Sequence, residues 1–276
     1  MDAAADLSEL GVAVRASAAR LAMLLRRVRR ADAPALGSWD LTDLAVHVAH
    51  VLEGVTALAR GGGPLIDDLW ELPAFTTMLV DSEGERDLAV LAGRIEASAA
   101  TFVQVLEDVV GGEPRPWVVA GVDVVAETLA GHVLNELVVH GWDIARAEGE
   151  VWPVPDRHAA LVLDTFLLPI IGHLGRSLVD QEEAADVWAT YDVRVRGGGR
   201  FLLRFGAGDA VVEPVVPGAG PRVAPIDCHL SVDPAAFLLV AWGRASQWPA
   251  IARGRFLAWG RRPWLGLRLQ ALLRNP

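Results

Sequence analysis

The chain has 276 residues, of which 52% are hydrophobic, and its net charge is −10. This length allows two domains with buried cores, and the composition is that of an ordered globular protein. The single cysteine, Cys228, excludes an intrachain disulfide framework and a cysteine-rich metal site. All 25 basic residues are arginine, so a Schiff-base lysine and a phosphate-binding lysine loop are also excluded.

Helical periodicity dominates the first 150 residues, where apolar side chains recur every three to four positions. The acidic start, Met-Asp-Ala-Ala-Ala-Asp, lacks the basic residues of a secretory signal, so we expect a cytoplasmic protein. Charged residues interrupt the long apolar runs, and we expect no helix that spans a membrane. The predicted helices favour a four-helix bundle. They cover residues 7–30, 41–60, 87–110 and 122–148.

The connection between residues 61 and 86 is long for a helix bundle. It contains Trp70, Phe75 and Met78. Because long loops often cover binding sites, we predict that this segment is a loop over a site.

The last of these helices places a carboxylate and an imidazole on one face, because Glu136 and His140 are four residues apart. Apolar residues surround the pair, and a buried carboxylate is costly unless it is paired or binds a metal. On the helix over 41–60, His47 lies among apolar neighbours, and bundle cores build metal sites from facing helices in this way. We therefore predict a metal site of His47, Glu136 and His140, which suits zinc or another first-row divalent ion.

The residues alone leave two other interpretations of this pattern open. Glu136 and His140 can form an ordinary hydrogen-bonded ion pair one helical turn apart. His50, three residues after His47, can face inward in its place. Only the positions of the two helices decide between these arrangements.

Three further polar residues lie near the predicted ligands in the sequence. His132, four residues before Glu136, is a fourth ligand, a hydrogen-bond donor to a ligand or a polar neighbour, and we favour the donor. Asp143, three residues after His140, is a candidate acceptor for that histidine. Asp43 either orients His47 or faces solvent.

Charge changes sign along the chain. Residues 1–150 hold 24 acidic residues and 11 arginines, whereas residues 187–276 hold 5 acidic residues and 12 arginines. A change of this size marks a domain boundary, so we predict domains at 1–150 and 187–276, with 151–186 as a linker and strap helix. The overall negative charge argues against nucleic-acid binding. Arginines at a junction between the domains can hold an anionic substrate.

The second half of the chain changes to a period of two residues, which indicates strands. Asp233-Pro234 is typical of a helix start, and the tail over 253–273 is predicted to be an amphipathic helix. These features predict a compact α+β domain after an all-α one. The predicted strands cover residues 188–196, 200–205, 210–216 and 228–232.

Two segments carry a resemblance to a known family. Residues 39–47, together with the motif from Glu136 to Asp143, resemble the mycothiol-dependent maleylpyruvate isomerase family, a branch of the DinB-like metal-binding bundles. Residues 233–245 are similar to that family's C-terminal, sterol-carrier-like domain. The resemblance implies a DinB-like four-helix bundle followed by a small sterol-carrier-like α+β domain. It also implies that His47, Glu136 and the histidine of the motif hold a divalent metal, usually zinc.

The function that this resemblance implies is thiol chemistry. Mycothiol would act as the thiol cosubstrate and attack an electrophilic, anionic small molecule, in an isomerase or an S-transferase. Arg244, in the family-like Trp-Gly-Arg segment, is predicted to hold a substrate carboxylate, with a surface ion pair as its alternative. Two other classes of function remain open. One is a metal-dependent hydrolase, and the other is a metal- or redox-sensing regulator or a binder of hydrophobic ligands.

Overall fold

A computed structural model describes residues 7–109, 113–216 and 225–274. Contacts divide the chain into an N-terminal unit, Ala5–Val154, and a C-terminal unit, Pro155–Pro276. The N-terminal unit is mainly helical, and the C-terminal unit combines helices with a mixed sheet. The predicted fold class, an all-α bundle followed by an α+β domain, is therefore confirmed.

Four long helices form the core of the N-terminal unit. Helices α1 and α2 each pack against both α4 and α5, so α2 and α5 are neighbours in the bundle. A shorter helix, α3, packs outside this core on α2. The helices are α1 (Leu7–Leu25), α2 (Leu41–Ala59), α3 (Leu72–Ser82), α4 (Leu88–Asp108) and α5 (Ala126–Ala147).

Short side chains fix the starts of α2 and α4. Asp40 accepts a hydrogen bond from the Asp43 amide, and the Asp43 carboxylate accepts one from the Asp40 amide, which forms a capping box. Asp87 caps α4 in the same position. The predicted starts of both helices are therefore confirmed to within one residue, whereas α1 ends five residues earlier than predicted. The predicted end of the third helix at Val110 lies outside the described residues.

The prediction of a loop over residues 61–86 is wrong. A 3-10 turn (Leu69–Glu71) leads into α3, and Asp68 caps that turn through its side chain. Pro73 lies in the first turn of α3, where its missing N–H costs no helical hydrogen bond. Leu72, Phe75 and Met78 follow helical spacing, but Val80 is the one buried residue of α3.

Two short antiparallel hairpins complete the N-terminal unit. The first pairs β1 (Pro34–Leu36) with β2 (Trp39–Asp40) just before α2. The second pairs β3 (Arg115–Pro116) with β4 (Asp123–Val124) just before α5. The second hairpin is joined to the chain before α3 by a parallel bridge between Ile66 and Val119. Neither hairpin was predicted.

Among the described residues, three helical segments are apolar and long enough to span a membrane by length and composition alone, namely 41–59, 88–108 and 156–178. Charged residues such as Glu53 and Asp164 do interrupt these segments, but they are too few to remove that property. Packing inside the protein accounts for much of this hydrophobicity, because the most apolar windows of the first and third segments are each 61% buried.

A five-stranded mixed sheet organises the C-terminal unit, in the order β7-β6-β5-β8-β9. Strands β5 and β8 are parallel, and the other neighbours are antiparallel. All four predicted strands are confirmed, with ends that differ by one or two residues. The strands are β5 (Ala189–Val195), β6 (Arg200–Gly206), β7 (Asp209–Pro214), β8 (Cys228–Val232) and β9 (Phe256–Trp259).

Helices pack around this sheet. The helices α6 (Asp156–Val162) and α7 (Leu168–Leu174) are joined through a π-helical turn, and α7 packs on β7 while α6 packs on α8 (Pro234–Ala241). Residues 155–186 of the segment predicted as a linker and strap thus lie within the C-terminal unit, and residues 151–154 lie within the N-terminal unit. The predicted helix start at Asp233 is confirmed, since its carboxylate caps α8. One more short helix, α9, spans Gln247–Ala252.

The prediction of an amphipathic helix over residues 253–273 is wrong. The segment contains strand β9 and two 3-10 turns, at Pro263–Leu267 and Leu269–Leu272. Strand β9 pairs with β8, and Gly260 then takes a φ of +117°, a backbone conformation that a helix cannot contain. The buried apolar residues of this tail, Leu265, Leu269 and Leu272, lie in the two 3-10 turns, whereas β9 itself is mostly exposed.

A charged cluster lies on one face of the sheet. Asp192 on β5 is 4% exposed and accepts two hydrogen bonds of 2.6 Å from the Arg200 guanidinium. Its second oxygen also lies 2.6 Å from His229 Nδ1, because these two residues are paired across β5 and β8. The His229 ring stacks on Trp259, with ring centroids 5.4 Å apart. This carboxylate is therefore fully paired within the sheet.

Candidate metal centre

Three side chains from two neighbouring helices converge in the core of the N-terminal unit. His47 Nε2 on α2 and His140 Nε2 on α5 each lie 3.2 Å from Glu136 Oε2. The three donor atoms all lie within 4.8 Å of one another. Within the described part of the chain, this is the group of imidazole and carboxylate donors compact enough to hold a metal ion.

Helix geometry explains how these side chains meet. Glu136 and His140 are one turn apart on α5, so both point to the same side of that helix. Because α2 packs directly on α5, the inward face of α2 brings His47 opposite this pair. The arrangement places together the three residues that the sequence predicted as ligands.

The donor spacing fits a first-row divalent ion. Two ligands at the usual zinc distances and a tetrahedral angle are separated by about 3.3 Å. Both histidine-to-glutamate distances, at 3.2 Å, match that separation. Two imidazoles and one carboxylate also leave room in the coordination shell for a further ligand, as in catalytic sites.

Burial isolates the three donors from bulk water. The side chains of His47 and Glu136 are each 11% exposed, and that of His140 is 10% exposed. Helix α5 is buried on nearly all of its surface, including Val133, Leu137 and other apolar residues around the donors. Electrostatic interactions in such surroundings are stronger than at an exposed surface.

Protonation in the absence of metal follows from these contacts. Burial lowers the pKa of His140, but hydrogen bonds to Asp143 and Glu136 outweigh burial and raise it to about 9. Burial raises the pKa of Glu136, but its hydrogen bonds to His140 and His47 hold it well below the usual value. Burial lowers the pKa of His47. The cluster thus combines an ionised carboxylate, one imidazolium and one neutral imidazole.

Each of two donors has a further polar partner on its own helix. His140 Nδ1 lies 3.1 Å from Asp143 Oδ2, the acceptor that the sequence offered as a candidate. Asn135 Nδ2 donates a hydrogen bond of 3.1 Å to Glu136 Oε1, the oxygen that does not face His47 and His140. The sequence did not predict this contact of Asn135 with Glu136, because adjacent residues on a helix do not normally share a face.

His132 lies on the far side of the same carboxylate. Its Nε2 is 3.7 Å from Glu136 Oε1, and its Nδ1 is 3.3 Å from the Trp117 indole nitrogen. His132 is therefore outside the donor group and adjacent to it, and its role as a hydrogen-bond donor to the carboxylate stays a prediction. Trp117 was missed, because it belongs to the hairpin before α5 and no local spacing connects it with the motif.

Two other candidates lie outside the donor group. His50 Nε2 is 3.3 Å from Glu83 Oε2, without hydrogen-bond geometry, so His47 and not His50 is the inward histidine. Asp43 caps α2 and pairs with Arg86 at 2.7 Å. These contacts account for Asp43 without a role in orienting His47.

Arg244 lies in the C-terminal unit, directly after α8. Its guanidinium donates a hydrogen bond of 2.8 Å to the backbone carbonyl of Trp242, and the side chain is partly buried. Gly243 takes a φ of +68°, which turns the chain at this point. The predicted role of Arg244 in holding a substrate carboxylate stays a prediction.

Comparisons with known proteins give a family match for the N-terminal unit. Residues 11–145 match the family described as the mycothiol maleylpyruvate isomerase N-terminal domain. A comparison with curated proteins gives no match.

Two of the solved structures that match are similar over most of the chain. A crystal structure of the mycothiol-dependent maleylpyruvate isomerase is 17% identical, with a TM-score of 0.52 over 87% of this chain and 90% of that chain. A histidine-to-alanine mutant of that isomerase is 15% identical, with a TM-score of 0.52 over 88% and 91% of the two chains. At these identities the likeness shows a shared fold.

Proposed function

Because the N-terminal unit of this chain belongs to the mycothiol maleylpyruvate isomerase family, we propose that the protein is a metal-dependent enzyme of thiol chemistry. It would use mycothiol as the cosubstrate and act on an electrophilic, anionic small molecule, as an isomerase or an S-transferase. We also propose that it works in the cytoplasm.

The observation that carries this proposal is the convergence of His47 Nε2, Glu136 Oε2 and His140 Nε2 within 4.8 Å. A buried carboxylate facing two imidazoles, with no arginine beside it, is a donor set suited to zinc. A divalent metal held there would lower the pKa of an approaching thiol, so that the thiolate predominates at neutral pH. The residues that would hold the metal are His47, Glu136 and His140.

The chain's own residues prepare this site for chemistry. Asp143 accepts a hydrogen bond from His140 Nδ1, which directs Nε2 toward Glu136 and the ligand position. The apolar surface of α5 excludes bulk water, which protects a thiolate from competing solvation.

The reaction of the thiolate with the substrate requires no general base from the protein. In an isomerase, the thiolate sulfur adds to one alkene carbon of a cis-enoyl substrate, and the double bond becomes a single bond. Rotation about that bond follows, and loss of the thiolate restores the double bond in the trans form. In an S-transferase, the adduct takes up a proton and is released with its new carbon–sulfur bond.

We propose that Arg244 binds a carboxylate of the substrate. A guanidinium holds a carboxylate through two parallel hydrogen bonds, and lysine is absent from the chain as an alternative. Replacing Arg244 with lysine would keep the charge but lose the paired geometry, so it is the informative substitution at this position.

The proposal is tested by turnover of maleylpyruvate with zinc-loaded protein, with and without mycothiol. We expect isomerisation that requires both the thiol and an intact His47. Conversion that proceeds without any thiol would overturn the thiol mechanism and favour a hydrolase. Failure of all thiol-dependent conversion, of this substrate and of a panel of thiol-reactive electrophiles, would favour a regulator or ligand binder.

A further inference from the structure

The hairpin before α5 brings a buried tryptophan to the far side of the metal centre. Trp117 is 4% exposed, and its indole Nε1 donates a hydrogen bond of 3.3 Å to His132 Nδ1. The backbone of Trp117 is fixed by a 2.8 Å hydrogen bond from its amide to the Val122 carbonyl. The indole therefore approaches His132 from a rigid turn.

This contact determines which nitrogen of His132 carries the proton. The indole N–H can only donate, so His132 Nδ1 must accept. The ring proton then resides on Nε2, which is the nitrogen that faces Glu136 Oε1 at 3.7 Å. The N–H dipole of His132 consequently points its positive end at the carboxylate.

The two oxygens of Glu136 have different surroundings as a result. Oε1 accepts a hydrogen bond from Asn135 and faces His132, whereas Oε2 faces the Nε2 atoms of His47 and His140. An oxygen that already has donors on one side is the weaker metal ligand of the pair. The carboxylate is thus directed to present Oε2 to the ligand position.

We propose that Trp117 and His132 are positioning residues, which act in sequence to hold Glu136 with Oε2 toward the metal and Oε1 away from it. This proposal rests on the metal-dependent function proposed above. It extends the site beyond α2 and α5, because the indole comes from a hairpin that contributes no metal ligand.

The first test reads the His132 tautomer by long-range ¹H–¹⁵N NMR of metal-free protein. We expect a protonated Nε2 and an unprotonated Nδ1 in the wild type. In Trp117→Phe, which keeps a buried ring but removes the indole donor, we expect a mixture of both tautomers. A wild-type protein with the proton on Nδ1, or an unchanged tautomer in Trp117→Phe, would overturn the proposal.

The second test measures zinc affinity by competition with a chelator. Loss of partners that orient metal ligands lowers affinity by about 10- to 100-fold, so we expect a loss near the lower end for Trp117→Phe and His132→Leu. His132→Gln retains an N–H donor near the position of Nε2, and we expect it to recover most of the affinity. Trp142→Phe is the matched control, because Trp142 lies on α5 like His132 but its ring contacts Arg146. This variant should bind zinc like the wild type.

The outcomes separate the two proposals. Equal zinc affinity in the wild type, Trp117→Phe and His132→Leu would contradict the positioning role while leaving the metal-dependent function intact. Absence of zinc binding in the wild type would overturn both, whatever the tautomer. If Trp117→Phe fails to fold, the His132→Leu and His132→Gln pair decides, since a merely structural role predicts equal losses for both.

Discussion

Glu136 in the N-terminal unit and Asp192 in the C-terminal unit are both buried carboxylates beside histidine, but their remaining partners differ. The Arg200 guanidinium occupies both oxygens of Asp192, and His229 shares one of them. Among the described residues, Glu136 has no arginine partner, and its Oε2 faces two imidazole nitrogens. Asp192 is neutralised by a permanent cation of the protein, whereas Glu136 has partners that exchange protons and bind metals.

A third carboxylate, Asp164 in the π-helical turn, has fewer hydrogen-bond partners than the other two. Its Oδ2 accepts a hydrogen bond from the Gly199 amide, but its buried Oδ1 has no partner among the described residues. Burial raises the pKa of Asp164 to about 6, against the hydrogen bond from Gly199 and the charge of Arg157. Comparison of the three carboxylates shows that the partners, and not burial alone, determine what a buried acid can do.

Alanine substitution of Glu136 and of Asp192 should separate a role in metal binding from a role in stability. Glu136→Ala should lower zinc affinity by at least about 1,000-fold in a protein that still folds, because it removes one of the three ligands. Asp192→Ala should leave zinc affinity unchanged but lower the free energy of unfolding by about 2 kcal/mol, because Arg200 and His229 lose their shared acceptor. Chelator competition and urea denaturation measure the two effects. The reverse pattern would show that the roles have been assigned to the wrong carboxylates.

Asp164 should make the stability of the protein depend on pH. Its pKa is about 6 in the folded protein and 3.8 ordinarily, so the folded state binds the proton more tightly. Stability from this group is therefore greatest below pH 4, falls as pH rises through 6 and then stays level. Above pH 7 the cost is at most about 3 kcal/mol.

The substitution Asp164→Asn mimics the protonated acid, and it should therefore be neutral at pH 4 and stabilising above pH 7. Urea denaturation of both proteins across this pH range measures the difference. A constant difference at all pH values would contradict the raised pKa. Asp192→Asn is the matched control, because that carboxylate stays ionised over the same range and has a lowered pKa.

Asp143 tests how the metal centre depends on a carboxylate that is not itself a ligand. Asp143→Ala removes the acceptor for His140 Nδ1, so we expect zinc affinity to fall by about 10- to 100-fold. Asp143→Asn keeps an oxygen acceptor and should lose less. If both variants bind zinc as tightly as the wild type, Asp143 does not orient His140.

The smallest expected effect comes from close packing beside the site. A Cβ at Gly141 would overlap the ring of Trp152, and the Arg20 guanidinium carbon also lies over that ring, 3.7 Å from its centroid. Gly141→Ala should therefore cost about 1–3 kcal/mol of unfolding free energy. Gly93→Ala on α4 has open space and should stabilise the helix by about 0.5–1 kcal/mol. Equal effects of the two substitutions would contradict the tight packing at Gly141.

Much of the metal centre could be predicted from the sequence because its main contact is local. The spacing of Glu136 and His140 requires only a helix, and the capping residues of α2 and α4 are equally local. His47 could be predicted because a bundle presents the inward face of each helix to its neighbours. The choice between His47 and His50, however, depends on how α2 is rotated against α5, which only the structure shows.

The parts that could not be predicted depend on contacts distant in sequence. Trp117 reaches His132 through the turn of a hairpin, and its position is fixed partly by the bridge to Ile66. The tail forms β9 because the neighbouring edge of β8 is available for pairing, which overrides its helical pattern. Such pairing energies exceed local propensity and leave no periodic signal in the sequence.

Elemental analysis of purified protein shows whether His47, Glu136 and His140 form one metal site. We expect about one zinc or other divalent ion per chain in the wild type and in His229→Ala, whose histidine pairs with a carboxylate in the C-terminal sheet. We expect loss of that ion from folded His47→Ala, Glu136→Ala and His140→Ala. Full metal content in all three variants, or none in the wild type after growth with zinc, would contradict a shared site.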